Sequence, residues 1–461
     1  MVFNSLIFLF AFLPLALVGH YFIPNERLKN LVLLVLSLLF YTWGEFEGVL
    51  LLLTSIGFNY AWAWLISQNK HKAKPFLVTG VVVNLLLIIY FKYWHFLYYQ
   101  FVPPPPYYQL MAKSIPLGIS FFTFQSIAYL FDVYRGHLKA EKNVLNYALY
   151  ISFFPQLIAG PIVRFQQISE QLKERIVSFE GLAEGFERFI IGLGKKVVIA
   201  NTFAVAVDLV FETPAANLST PVMWGAALLY TFQIYFDFSG YTDMAIGLGK
   251  MFGFNLPENF DKPYTAKSLR QFWRRWHITL STWFRDYLYI PLGGNQHGTM
   301  RTYLNLFLVF FLCGLWHGAS FTFIIWGMFH GIVMLAERGW WGRFAHQLPN
   351  FIQWAICFLL LVLSWVIFRA ESLSQLVAWY SGMFSYQSFS VVPLSYIFDY
   401  KNCVLIAASI FICLPKFSFK LNKNVELVGL GIKYIGLLLV LVYAVTLIMF
   451  QESTPFIYFR F

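Results

Sequence analysis

The chain has 461 residues, of which 59% are hydrophobic and 12% charged, with a net charge of +11 and a mean hydropathy of +0.62. Soluble domains average about 25% charged residues, so an ordinary soluble protein is excluded. Apolar runs of roughly 20 residues recur from end to end, long enough to cross a hydrocarbon core of ~30 Å as helices, and the fold class read from them is an all-α polytopic membrane protein. The basic residues fall in short loops between these runs, where they orient a chain in a lipid bilayer, and they do not point to nucleic acid.

The opening stretch "MVFNSLIFLFAFLPLALVGHYFIP" has no basic n-region and no small-residue cleavage site, so it is expected to be a membrane helix and not a signal peptide. The first four helices are expected at about 3–23, 29–44, 47–67 and 75–97. Their connections alternate: "PNERLKN" is mildly basic, "GEFEG" acidic, "NKHKAK" strongly basic and "VPPPPYYQ" uncharged. The positive-inside rule places the first and third loops in the cytoplasm and Met1 outside.

The middle of the chain is less regular. Pro116, Gly118 and Gln125 interrupt one apolar stretch, Pro155, Gly160 and Pro161 a second, and Lys195 and Lys196 a third. Irregular backbone at membrane depth survives only where protein or a water-filled cavity covers it, so broken or re-entrant helices lining a cavity are expected between residues 114 and 247. Residues 250–301 are the most polar stretch and are placed on the cytoplasmic face, with eight basic residues against three acidic ones. Helices are expected again near 303–316, 320–337, 351–369, 402–414 and 430–450, for ten to twelve spans in all. "IGLGK" occurs at 191–195 and 246–250. Neither copy follows a strand or fits a nucleotide loop, so close helix packing through small residues is the better reading. The four cysteines lie in or beside apolar runs and read as small buried hydrophobes. Cys313 sits one helical turn before His317.

Read as one helix, "SLRQFWRRWHITLSTWFRDYLYIPLGG" places Trp273, Trp276, Leu280, Trp283 and Tyr287 on one stripe. Arg270, Arg274, His277, Ser281 and Arg285 fall on another, roughly 120° away. An interfacial helix with aromatics in lipid explains the first stripe. A histidine in line with arginines also fits a phosphate-rich donor.

His317, in "CGLWHGAS", stands between two apolar runs among Gly314, Gly318, Ala319 and Ser320. A polar group at membrane depth either finds a partner or serves a site. A neutral imidazole can take a proton from a hydroxyl near neutral pH and costs less to bury than a carboxylate. The small neighbours leave room for a narrow substrate passage. A metal site would need clustered ligands, which His277 and His317, forty residues apart, lack. Serine-hydrolase chemistry would need a GxSxG elbow, which is absent from the sequence. His330 reads as structural or cavity-lining; His20, His71, His95, His137, His297 and His346 read as interfacial. Asp237 and Asp243, in "YFDFSGYTDMAIG", are costly at membrane depth unless paired. Partners on the arginine stripe or at Lys195 and Lys196 would satisfy them, and a role in placing a site imidazole or lining the cavity stays open.

Taken together, "RRWHITLSTWFRDYLYIPLGGN", "FLCGLWHGASFTFIIWGMFHG", "YFDFSGYTDMAIGLGKMFGFNLPENFDKPY" and "FFPQLIAGPIVRF" resemble the membrane-bound O-acyltransferase (MBOAT) family. The resemblance covers nearly the whole chain and is strongest to the bacterial branch that acetylates polysaccharides. It implies one membrane-embedded domain over 1–461: N-terminal helices (1–100), a catalytic core (101–340) with an amphipathic segment at 264–292, and C-terminal helices (341–461). It further implies a ring of helices with funnels from both faces, with His317 as the catalytic histidine and His277 as a second functional one. Substrate or donor contacts are expected from Arg274, Arg275, Trp316, Ser281, Asp237 and Asp243. The implied reaction carries an acyl group, acetyl from cytoplasmic acetyl-CoA, across a bacterial inner membrane to an extracytoplasmic polysaccharide of alginate, peptidoglycan or cellulose type. A periplasmic transferase partner, no bound cofactor and no metal complete the expectation. A non-enzymatic flippase of an acyl carrier, or a lipid O-acyltransferase of the same superfamily, are the rival readings.

Overall fold

The computed structural model describes residues 1–99, 101–102, 115–414, 423–450 and 456–457. The described residues form helices and turns and no strand. Against the expected ten to twelve spans, eight helices among them are long and apolar enough to cross a membrane, joined by two shorter apolar helices, Phe8–Tyr21 and Tyr400–Cys413. This is a multi-pass all-α membrane protein. The "VPPPPYYQ" loop lies almost wholly outside the described residues. Two compact units divide the chain, Met1–Phe189 with Tyr241–Pro257, and Ile190–Gly240 with Glu258–Phe461.

In the first unit, Glu26–Gly44 starts where the Asn25 side chain accepts from the N–H groups of Arg27 and Leu28 at 2.9 and 3.3 Å, satisfying donors that a helix start leaves open. Gly48–Gln68 and Ala73–Ile88 are joined by a reciprocal amide pair, Asn84 to Asn59 at 2.7 Å and Asn59 to Asn84 at 3.2 Å. Such polar pairs hold helices together where lipid removes the hydrophobic drive between them. Phe3, Phe8, Phe12, Phe40 and Phe154 pack into one aromatic cluster, and Tyr241 stacks on Phe3 at 4.9 Å. The Arg175 guanidinium is buried, bonded to Asn30 Oδ1 (2.6 Å) and the Phe252 carbonyl (3.1 Å) and lying over the Phe254 ring. His20, expected at an interface, is fully buried against Phe252, because the residues after Met251 fold back over it.

The expected breaks are fewer than the prolines and charges suggest. Ile119–Tyr134 is one uninterrupted helix, entered through Gly118 at φ 73°, where an added Cβ would lie 2.5 Å from the Leu157 carbonyl. Pro155 does break the chain, between Val144–Ser152 and the short Phe154–Leu157. The Asp237–Asp243 stretch sits inside a continuous 32-residue helix, Thr220–Met251. Each aspartate is ion-paired there, which removes the reason to unwind.

In the second unit, Lys195 and Lys196 ride on a π-helical turn, Gly194–Ala200, not on a break. The "IGLGK" repeats do mark close packing: a Cβ on Gly240 would lie 2.8 Å from the Gly192 carbonyl. In the first unit, a Cβ on Gly247 would lie 2.6 Å from the Gly185 carbonyl. Gly298–His317, Phe321–Arg338 and Asn350–Arg369 fall where expected; Leu373–Phe384 is a helix the sequence reading did not separate. In Val428–Phe450 only 6% of the apolar window is buried, the pattern of a helix solvated by lipid nearly all round.

Candidate active site

The site elements all belong to the second unit. Gly298–His317 and Phe321–Arg338 form a hairpin whose turn is capped by Ser320, accepting from Thr322 N–H at 3.3 Å. The two helices cross in backbone contact. A Cβ on Gly314 would lie 2.3 Å from the Phe323 carbonyl, and one on Gly327 2.4 Å from that of Phe310. A Cβ on Gly318 would lie 2.3 Å from the Phe323 ring. The small residues around His317 therefore seat one helix on the other; they do not open the passage expected from them, because Phe323 and Gly327 fill that space.

His317 ends its helix and is 3% exposed. Its ring is walled by Trp316 and Trp326, both at 4.9 Å, and by Phe368 at 5.2 Å. Trp316, expected to touch substrate, is buried and is the ring common to both histidines, 6.0 Å from His277.

His277 overturns the single-helix reading of 268–294. The helix Leu269–Trp273 stops, His277 takes the left-handed conformation at φ 44°, and a new helix runs from Ile278 to Phe284 before a π-turn at Arg285–Tyr289. That geometry turns His277 inward, fully buried, while Arg274 stays exposed, so histidine and arginines do not share a stripe. Trp273, Trp276, Leu280, Trp283 and Tyr287 are buried in protein, not laid in lipid. Burial pushes the His277 imidazole down to about 3, so the ring is neutral at physiological pH.

Asn259, which no sequence pattern singled out, holds the strained residue. Its Oδ1 accepts from Thr279 N–H at 3.2 Å and from the Thr279 hydroxyl at 2.9 Å, and lies 3.1 Å from His277 Nδ1. A carboxamide oxygen carries no hydrogen, so His277 donates through Nδ1 and its lone pair is on Nε2. Backbone bonds from Ile278 N–H to the Asn259 carbonyl (3.0 Å) and Asp261 N–H to the Arg275 carbonyl (2.9 Å) fasten the two segments. Asn259 lies within the quoted "PENFDKPY", but one asparagine in a polar stretch gives no spacing from which a role follows.

A cavity of about 680 Å³ opens beside these helices. Among the described residues, the charged ones that line it are all cations, Arg270, Arg274, Arg285 and Arg338. Its wall includes the buried Trp273, Phe310 and Cys313, the last one turn before His317. Ser281 also lines it. Arg275 does not: its guanidinium donates to Thr265 Oγ1 at 2.6 Å. A second cavity of about 480 Å³ shares Arg270 and Arg274 and adds Lys267 and His346. His330, fully buried, accepts at Nδ1 from Trp273 Nε1 at 3.3 Å. Asp237 pairs with Lys196 at 2.5 Å and accepts from Ile457 N–H at 2.8 Å, while the adjacent Phe238 meets His277 edge-on at 4.7 Å. Asp243 lies in the first unit and pairs with Arg188 at 2.6 Å, a partner outside those expected.

Residues 38–378 match the sequence model of the membrane-bound O-acyltransferase family. The chain belongs to the membrane-bound O-acyltransferase family. It is 46% identical over 410 residues to a protein named a probable alginate O-acetylase in Pseudomonas aeruginosa, covering 86% of this chain and 77% of that one. It is 39% identical over 432 residues to the peptidoglycan O-acetyltransferase of Helicobacter pylori, covering 86% and 82%. A teichoic acid D-alanyltransferase of Bacillus subtilis is 28% identical over 301 residues, covering 62% and 74%. As a membrane-bound O-acyltransferase the chain is an enzyme that moves acyl groups, which sets aside the non-enzymatic flippase.

Proposed function

We propose that this acyltransferase transfers an acetyl group from cytoplasmic acetyl-CoA toward hydroxyls of an extracytoplasmic polysaccharide, in a bacterial inner membrane and with a periplasmic transferase as partner. The names of its relatives, an alginate O-acetylase and a peptidoglycan O-acetyltransferase, support the acetyl group and the polymer class. The observation that carries the donor is the cavity: among the described residues its lining holds four arginines and no carboxylate, with Cys313, one turn from His317, in its wall. Guanidinium groups match phosphate geometry and are weakly hydrated, so Arg270, Arg274 and Arg338 suit the phosphates of coenzyme A, while Arg285 is already held by Asp286 at 2.6 and 3.1 Å. Arg275, already engaged with Thr265, supports the fold of the segment.

In the proposed reaction His317 takes the proton of the attacking hydroxyl as its oxygen bonds to the thioester carbonyl carbon. The carbon–sulfur bond then breaks, and the departing thiolate takes the proton back from the imidazolium. No net redox change occurs. His277, neutral and with its Nε2 lone pair fixed by Asn259, orients the donor, and the Trp316 ring packs on both imidazoles. Asp237 acts at one remove, holding Lys196 and the helix turn that presses Phe238 on His277.

The test is release of thiol and of labelled acetate from acetyl-CoA by the purified full-length protein. His317→Ala is expected to abolish it while the protein still accumulates in the membrane. Wild-type turnover in that variant would sink the assignment.

A further inference from the structure

The cavity that receives the proposed donor stops short of His317, and what stops it is a layer of rings. Trp273 and Phe310 line the cavity, 5.3 Å apart. Behind them Trp326 lies 5.8 Å from Trp273 and 4.9 Å from His317. None of Trp316, Trp326 or His317 lines the cavity, and His317 is buried. A thioester carbonyl that comes alongside Cys313 to reach His317 must therefore place its acyl tail where Trp273, Phe310 and Trp326 stand.

Trp273 is not free to swing aside. Its indole N–H donates to His330 Nδ1 at 3.3 Å, and the His330 ring packs on it at 5.2 Å, on Trp326 at 4.7 Å and on Phe310 at 6.2 Å. His330 thus touches all three members of the layer. It is held in turn by the helix crossing, since Gly327 and Gly331 bring its helix against Phe310. A buried indole N–H that leaves this partner loses a hydrogen bond it cannot replace in apolar surroundings.

We propose that Trp273 and Phe310 set the acyl length this enzyme accepts, restricting it to short acyl thioesters, and that His330 is the positioning residue that holds Trp273 in that place. The proposal rests on the reading of the cavity as the donor site. A closely packed aromatic layer discriminates by volume: each added methylene must displace a ring, and cores felt by even one methylene have no slack to give.

The experiment measures His317-dependent thiol release from acetyl-, butyryl- and octanoyl-CoA by the purified full-length protein, as kcat/KM for each. Trp273→Ala and Phe310→Ala are expected to raise the octanoyl-to-acetyl ratio at least tenfold. Trp273→Phe keeps a ring but loses the N–H, and His330→Ala loses the acceptor. Each should raise the ratio about threefold. A merely structural role would lower all three donors together and leave the ratio unchanged, which overturns the proposal. Should the alanine variants fail to accumulate, Phe310→Leu and Trp273→Phe test the same shift, at about threefold, with less lost volume. Wild type that cleaves acetyl-CoA while no variant shifts the ratio defeats this inference alone. Wild type that releases thiol from none of the three defeats the donor reading and this proposal with it.

Discussion

Asn259 offers the sharpest test of how the site is built. Its one carboxamide oxygen serves Thr279 N–H, the Thr279 hydroxyl and His277 Nδ1–H, all inside protein. Asn259→Ala leaves two of those donors, the backbone N–H and the ring N–H, without an acceptor. At about 1–3 kcal/mol for each stranded buried donor, the loss is ~2–6 kcal/mol of stability. Turnover should fall about 100-fold or more, since the ring is then free to exchange tautomers and present N–H where a lone pair is needed. Asn259→Asp keeps the shape and the acceptor but puts a carboxylate 3.1 Å from Nδ1. At an effective dielectric of about 20 the attraction is 332/(20 × 3.1), roughly 5 kcal/mol or ~4 pKa units. That offsets the depression from 6.5 to about 3. The sign follows from linkage. In wild type the neutral ring stabilises the fold above its unfolded value of 6.5, and that contribution is lost as pH falls toward 3. At pH 5 the loss is 1.5 units, about 2 kcal/mol. Asn259→Asp should remove this acid sensitivity from thermal melting curves and push the acid limb of the pH–turnover profile up toward neutrality. Profiles of wild type and Asn259→Asp that superimpose between about pH 5 and 8 would show that His277 does not depend on this partner.

The remaining predictions use other parts of the second unit. Gly314→Ala places a methyl 2.3 Å from a backbone carbonyl, a clash no side-chain rotation relieves, and should cost about 1–3 kcal/mol in a thermal melt. A melting temperature unchanged from wild type would mean the helices do not cross there. Lys196→Met strands the buried Asp237 carboxylate and should lower stability by about 3–5 kcal/mol, while Lys196→Met with Asp237→Leu should recover most of it. Equal losses in single and double variants would argue against the pair. Cys313 lines the cavity and Cys403 is exposed elsewhere. Acetyl-CoA should therefore slow maleimide labelling of Cys313 at least fivefold and leave Cys403 unaffected, as peptide mass spectrometry would read. Equal protection of both, or of neither, removes the donor from this cavity.

Helix positions were legible because hydropathy at membrane depth is a strong signal: Gly298–His317 and Asn350–Arg369 fall within a few residues of their expected bounds. Where charge or proline was read as a break, pairing decided otherwise. Asp237 sits in an intact helix because Lys196 meets it, and that meeting depends on a π-turn the sequence does not announce. The stripe at 270–285 failed for a related reason. A regular 100° step assumes continuous helix, and one left-handed residue at His277 rotates everything after it. The histidines and Arg274 could be named from residue type and context. Asn259, Phe310 and Arg338 could not, since their roles come from chain segments far apart in sequence.

Two buried histidines of the second unit are each fixed through Nδ1 by a neutral partner, and the two bonds run in opposite directions. His277 Nδ1 donates to Asn259, which leaves Nε2 with a lone pair. His330 Nδ1 accepts from Trp273, which requires the neutral ring to carry its proton on Nε2. The partners are an amide and an indole, not carboxylates. A carboxylate would bring a full charge into apolar surroundings and hold an imidazolium, which is no base. A neutral amide sets the tautomer at far smaller desolvation cost and keeps the ring able to take a proton. The same logic distinguishes the two rings: neutral His277 carries its lone pair on Nε2, whereas neutral His330 carries its proton there. Direction of a hydrogen bond, rather than residue type, sets which nitrogen of each ring carries the proton.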